Sequence, residues 1–110
     1  MKIIDLPETG PQLSTEADAL DILGGLYGQD ADLVAIPVGR MAPEFWNLRT
    51  TLAGLFIQKL LNYQVHPAFV GDLSVQIAAS TALRDYVYES NKRKDVLFAP
   101  DRATLEQMLS

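Results

Sequence analysis

The stretch from Pro43 to Ser74, PEFWNLRTTLAGLFIQKLLNYQVHPAFVGDLS, constrains the fold more than any other. It reads as one long helix running straight into one buried strand. Pro43 suits a first helical position, where its missing N–H costs nothing, and Glu44 sits near the positive end of the helix dipole. Phe45, Leu48, Leu52, Ala53, Phe56, Leu60 and Tyr63 recur at steps of three and four and make a wide apolar stripe. Asn47, Thr51, Gln58 and Asn62 mark the opposite face. Two residues break the pattern. Arg49 falls on the stripe, among Phe45, Leu52, Ala53 and Phe56, and Leu55 falls near the polar face. Such residues mark candidate functional or interface positions. The plainer readings are an Arg49 that snorkels to the helix end and pairs with a carboxylate, and a Leu55 that is simply exposed.

The rest of the chain follows a regular alternation. Lys2 to Leu6 is apolar enough for a strand, closed by Pro7, Gly10 and Pro11. Ser14 and Thr15 offer a cap for a helix whose inward face is Ala19, Leu20, Leu23, Leu26 and Tyr27, stopped by Gly28. Leu33 to Val38 and Val65 to Gly71 are continuous apolar runs, as expected of strands covered on both faces. Pro67 near the start of the second is tolerable. Asp72 to Ala79 reads as a loop. Ser80 or Thr81 caps a helix with Leu83, Tyr86 and Val87 inward and Ser90 near its end, and Asn91, Lys92, Arg93 and Lys94 end it with positive charge that suits the dipole. Asp95 to Ala99 is a last short strand. Pro100 and Asp101 open a final helix with Ala103, Leu105, Met108 and Leu109 inward. Strand and helix alternate four times, which predicts a single small α/β domain over residues 1–110 with a mostly parallel four-stranded sheet.

Composition bounds the function. With 110 residues the chain makes one modest core, and 48% hydrophobic residues argue against disorder. A net charge of −5 without a basic patch argues against nucleic acid and against an anionic membrane surface. No cysteine means no disulfide or thiolate, and a single histidine excludes a multi-histidine metal site and poorly supports a Ser-His-Asp arrangement. No cofactor is implied, since a glycine-rich phosphate loop is lacking. No leader is read at the first residues and no apolar run spans a membrane, so the expected location is the cytoplasm, in a prokaryotic style.

The positions Phe45, Leu48, Thr50, Ala53, Gly54, Gln58, Lys59, Asn62 and Tyr63, then Gly71 and Asp72, then Leu83, Arg84, Asp85, Tyr86, Glu89, Ser90 and Asn91, agree in register with a known pattern. Through them the last two thirds of the chain, most strongly residues 43–100, resembles the bacterial domain-of-unknown-function family forty-one-eighty. Thr51 and Leu55 depart from it, standing where the family usually has glycine and glutamate. The segment before Leu33 is shorter than the family pattern. The resemblance implies no settled activity. The element order is similar to that of STAS domains, the anti-sigma-factor antagonist fold, in which a helix start presents a phosphorylatable serine or threonine to a partner kinase. Thr50 and Thr51 are the loose counterparts here, an analogy of fold alone.

In a parallel sheet, ligands gather beyond the carboxyl ends of the strands. Arg40, Glu44, Arg49, Asp72, Ser74, Ser80 and Asp101 are expected there, with Arg84 within reach. Two guanidiniums and helix N-termini can hold a small anionic ligand. The competing reading is that Asp72 pairs with Arg49 or Arg84 and merely fastens helix to strand. Asp72 and Asp101 are the one plausible carboxylate pair, but Asp101 is better explained as a helix cap. His66 is expected at the far edge of the sheet. Glu89 and Asn91 lie off the apolar face of their helix, which makes them candidates for partner binding. Trp46 and Leu55 are candidates for an oligomer contact, the plainer reading of Trp46 being core rim. The reading that follows is a non-enzymatic, STAS-like binding or regulatory module contacting an unknown protein through Arg49, Asp72, Ser74, Arg84, Glu89 and Asn91. Its rivals are a small-anion receptor or small enzyme using Arg49, Arg84 and Asp72, and a structural homodimer or larger homo-oligomer.

Overall fold

Four strands run parallel in the order in which the chain makes them. The computed structural model describes residues 1–110, with β1 at Ile3–Asp5, β2 at Leu33–Pro37, β3 at His66–Val70 and β4 at Leu97–Ala99. Leu33 lies opposite Ile3 and His66, and Ala68 lies opposite Leu97, so the register is continuous across the sheet. The helices are α1 (Glu16–Leu26), α2 (Leu52–Asn62), α3 (Ser74–Ala79), α4 (Thr81–Arg93) and α5 (Arg102–Leu109). Sequential parallel strands joined by crossovers of one hand leave every crossover helix on the same face. The core reflects this. Nineteen buried residues cluster on the face covered by α1, α2 and α4, including Ile22, Val34, Ile36, Phe56 and Leu83. Only six, among them Leu33, Ala35, Ala68 and Leu97, lie on the other face, under α5 and its Leu105.

Local chemistry explains the element ends. Thr15 and Asp18 form a reciprocal capping box at the start of α1. The Ser80 hydroxyl accepts from Leu83 N at α4, and the Asp101 carboxylate accepts from Thr104 N at α5. Pro67 sits inside the sheet without an N–H to give. In the parallel ladder that N–H would aim at the β4 side, near the Asp95 carbonyl. The His66 ring nitrogen Nδ1 meets that carbonyl instead, at 2.9 Å.

The long helix is not continuous. Pro43–Trp46 and Leu48–Thr50 are separate 3-10 turns, and Thr51 enters the left-handed region with φ +63° before α2 begins at Leu52. A left-handed residue ends one helical phase and starts another. The rotation carries Arg49 out to solvent, not onto the buried stripe. Phe45 and Trp46 still turn inward. Trp46 is 7% exposed and packs edge-on to Phe45 and Phe69 at centroid distances of 5.0 and 5.4 Å, so it belongs to the core and not to an oligomer contact. Other expectations also shift. Residues 74–79 form α3 in place of the expected loop, and Leu20, Tyr27 and Tyr63 face outward, while α4 ends at Arg93 with its basic last turn as expected.

Candidate functional site

At the carboxyl ends of the strands the acids are occupied by their own backbone. Asp72 Oδ1 accepts from Ser74 N at 2.8 Å. That bond holds the Asp72 carboxyl below its ordinary range. Asp101 is lowered likewise by the Thr104 backbone bond. A carboxylate stabilised as the anion is a weak base, so neither suits proton abstraction. Gly71 approaches the β2 loop so closely that a Cβ there would run into the Val38 side chain, and its φ of +142° needs glycine in any case. Asp72 and Ser74 border a shallow depression of about 280 Å³ floored by Ile77, Val87 and Phe98.

The arginines expected at this rim stand elsewhere. Arg49 is exposed and forms no ion pair, and only its backbone N–H is engaged, donating to Asn47 Oδ1. Arg84 pairs with its neighbour Asp85 at 3.4 Å in the open. The expected fastening of Asp72 by Arg49 or Arg84 is therefore absent, and the anion clamp built from these three residues is not assembled. The arginine that does enter the protein is Arg40, 8% exposed. Its Nη1 donates to the Pro7 carbonyl at 2.9 Å and its Nε to the Pro11 carbonyl at 3.2 Å, locking the β1–α1 loop onto the β2 loop. Gly10 allows it: a Cβ there would lie 2.8 Å from Arg40 Cζ. A second guanidinium, Arg102, forks onto Asp5 at 2.8 and 3.2 Å and reaches Glu106 at 2.8 Å. This trio is saturated by its own partners and lies at the surface, where such pairs contribute little.

Glu89 is exposed on α4. Asn91 is half-buried, and its side chain is spent on β4: its amide donates to Phe98 O at 3.1 Å and its oxygen accepts from Phe98 N at 2.7 Å. Its presence in the sequence pattern thus has a structural cause. No cluster of three or more His, Asp or Glu could hold a metal ion.

What the helical layer leaves open is apolar. Leu20, Tyr27 and Tyr63, at 46%, 91% and 61% exposure, border a groove of about 590 Å³ between α1 and the end of α2, with Leu23 and Val65 beneath. A smaller dip of about 370 Å³ at the start of α2 holds Thr51, the half-exposed Leu55 and Tyr86. Sequence periodicity had turned Leu20, Tyr27 and Tyr63 inward.

The family model described as a domain of unknown function, DUF4180, matches residues 1–109. The chain belongs to this family. The match reaches past the last two thirds of the chain to include β1 and α1. No curated protein and no solved structure matches the chain. One departure from the DUF4180 pattern acquires a physical meaning. The resemblance set Thr51 in the place of a glycine, and its backbone is left-handed, the conformation glycine adopts most readily. No helix is long and apolar enough to cross a membrane.

Proposed function

We propose that this DUF4180 domain is a non-enzymatic binding or regulatory module, STAS-like in its layering, that docks a protein partner on the outer surface of its helical layer. One observation carries the reading: the Leu20–Tyr27–Tyr63 groove, an apolar depression edged by two exposed tyrosines. Tyrosines offer large apolar area with a polar tip and few rotors, which suits them to interfaces. The strand-end acids, each satisfied by its own loop, give no comparable support to an enzyme.

The test is site-specific photo-crosslinking in the source cell with the probe at Tyr63, compared with the probe at Arg84. A discrete adduct from position 63, lost in a Leu20→Asp, Tyr27→Ser variant that still folds, supports the reading. Equal labelling at both positions, or none at 63, sinks it. An adduct with the mass of two copies assigns the groove to a homodimer instead.

A second reading rests on Thr51. Its exposed side chain makes no capping bond at the start of α2, the place where the STAS resemblance expects a phosphorylatable hydroxyl. Phosphate at position 51 in protein isolated from its host, found by intact-mass and fragment analysis, supports it. Unmodified Thr51 under every growth condition sampled removes it.

A further inference from the structure

The largest cavity lies at the opposite rim of the sheet, where the strands begin. It encloses about 800 Å³, within the range of small-molecule sites. Its apolar wall comes from Leu33 and Leu97 at the starts of β2 and β4 and from Met108 and Leu109 of α5. The strand starts contribute the polar side chains of Asp32, Gln64, His66 and Lys94, which precede or open three adjacent strands, and Met1 and Ser110 complete the lining.

These four side chains form two chemically opposite sets. A carbonyl can only accept, so the His66 Nδ1 that meets the Asp95 carbonyl carries the proton. In the neutral ring Nε2 is then an acceptor. Asp32 is an acceptor too: its Oδ2 takes the Lys2 backbone N–H at 2.7 Å, and its other oxygen is left over. The carbonyl ends of α2 and α4 also face this rim, adding negative potential. Against them stand two donors, the Lys94 ammonium and the Gln64 amide. Both donor residues have left-handed backbones, Gln64 at φ +62° and Lys94 at φ +66°. Each lies just past the end of a helix, where glycine is the relaxed choice. Keeping long polar side chains at both positions is a local cost that neither fold nor packing asks for.

We infer that this cavity binds a zwitterionic α-amino acid with an apolar side chain. The ammonium faces Asp32 and His66 Nε2, the carboxylate faces Lys94 and Gln64, and the side chain lies on Leu97 and Met108. The site adjoins the tyrosine groove, whose Ala31, Tyr63 and Val65 are chain neighbours of its Asp32, Gln64 and His66, but shares no lining residue with it, and its titration needs no partner.

The experiment is calorimetric titration of the full chain with L-methionine, L-leucine and L-phenylalanine, and with N-acetyl-L-phenylalanine and L-phenylalanine amide as capped probes. At least one free amino acid binds, and blocking either charge weakens binding by about tenfold or more, the loss expected for one charge-assisted hydrogen bond. Lys94→Gly loses about tenfold in affinity as well while its melting temperature rises, because the backbone relaxes as the ammonium goes. Lys94→Asn, which tolerates the left-handed backbone, and Asp32→Asn repeat the loss of affinity in folded protein. Capped probes that bind as well as free amino acids, a Lys94→Gly protein that binds like the parent, or no heat from any free amino acid up to its solubility limit each overturn the assignment.

Discussion

Asn91 serves Phe98 as a neighbouring strand would, giving its amide hydrogen to the Phe98 carbonyl and taking the Phe98 N–H on its oxygen. Phe98 lies opposite Phe69 in the β3–β4 ladder, and alternate residues of a parallel strand face opposite neighbours. Leu97 and Ala99 turn their backbone groups to β3, as the bond from Gly71 N to Ala99 O shows. Phe98 turns its own outward, and α4 supplies the missing partner.

Replacing Asn91 by Leu removes both bonds and leaves two half-buried backbone groups without partners. The expected loss is about 2 kcal/mol of unfolding free energy. Asn91→Asp rescues only part of it, since its second oxygen faces the Phe98 carbonyl as one acceptor faces another. Urea denaturation of the three proteins measures this. An Asn91→Leu midpoint equal to the parent's contradicts the account.

Arg40 holds two carbonyls of the same loop with one rigid fork. An ammonium is a point donor and does not reproduce that spacing. Arg40→Lys and Arg40→Met are therefore both expected to destabilise, by about 2 kcal/mol, and to open the Pro7–Pro11 loop to proteolysis. Limited digestion with mapped cleavage sites reads the second effect. Full protection of that loop in Arg40→Met shows that the fork is dispensable.

Thr51→Gly moves in the other direction. A β-branched residue at φ +63° is strained, and glycine is not. The variant gains about 0.5–1 kcal/mol after allowance for the extra freedom of glycine in the unfolded chain. Thermal melting at neutral pH decides it, and a lower midpoint than the parent's refutes the strain.

Asp18, Asp72 and Asp101 share a pH signature. Burial raises Asp18, but bonds from Thr15 and Ser14 outweigh it and leave its carboxyl lowered, while backbone bonds lower Asp72 and Asp101 directly. A folded-state pKa below the unfolded value means stability that is present above the ordinary carboxylate value of 3.8 and lost as pH falls through the lowered one. The melting temperature should thus hold down to about pH 5 and fall below about pH 4. In Asp101→Asn the amide oxygen still caps α5 without titrating, so its acid slope is shallower. Parallel slopes for the two proteins would show that this cap is not a source of the acid sensitivity.

The sheet was legible because its central strands lie in apolar runs from Leu33 and from Val65, a signal that survives any error in the helices between them. The caps at Thr15, Ser80 and Asp101 were legible because each places an oxygen ahead of free N–H groups. Arg49 was misplaced because a helical wheel assumes unbroken phase, and nothing in the side chains from Asn47 to Leu52 announces a left-handed backbone at Thr51. Arg40 was missed as a buried residue for a related reason. Its partners are carbonyls of Pro7 and Pro11, about thirty positions away. Residue types do not encode carbonyl positions. The groove tyrosines failed through amphipathicity itself, since an exposed tyrosine used for contact looks the same as one used for core.

The one-sided winding has a last consequence. Because all crossover helices share a face, an eight-residue helix is the whole roof over Leu33, Ala35, Ala68, Leu97 and Ala99. Ending the chain at Ala99 strips that roof and bares a flat, almost chargeless plane of small side chains, a template for self-adhesion. The truncated protein should precipitate or pair face to face rather than unfold quietly, and Leu105→Asp should reproduce the behaviour with the chain at full length.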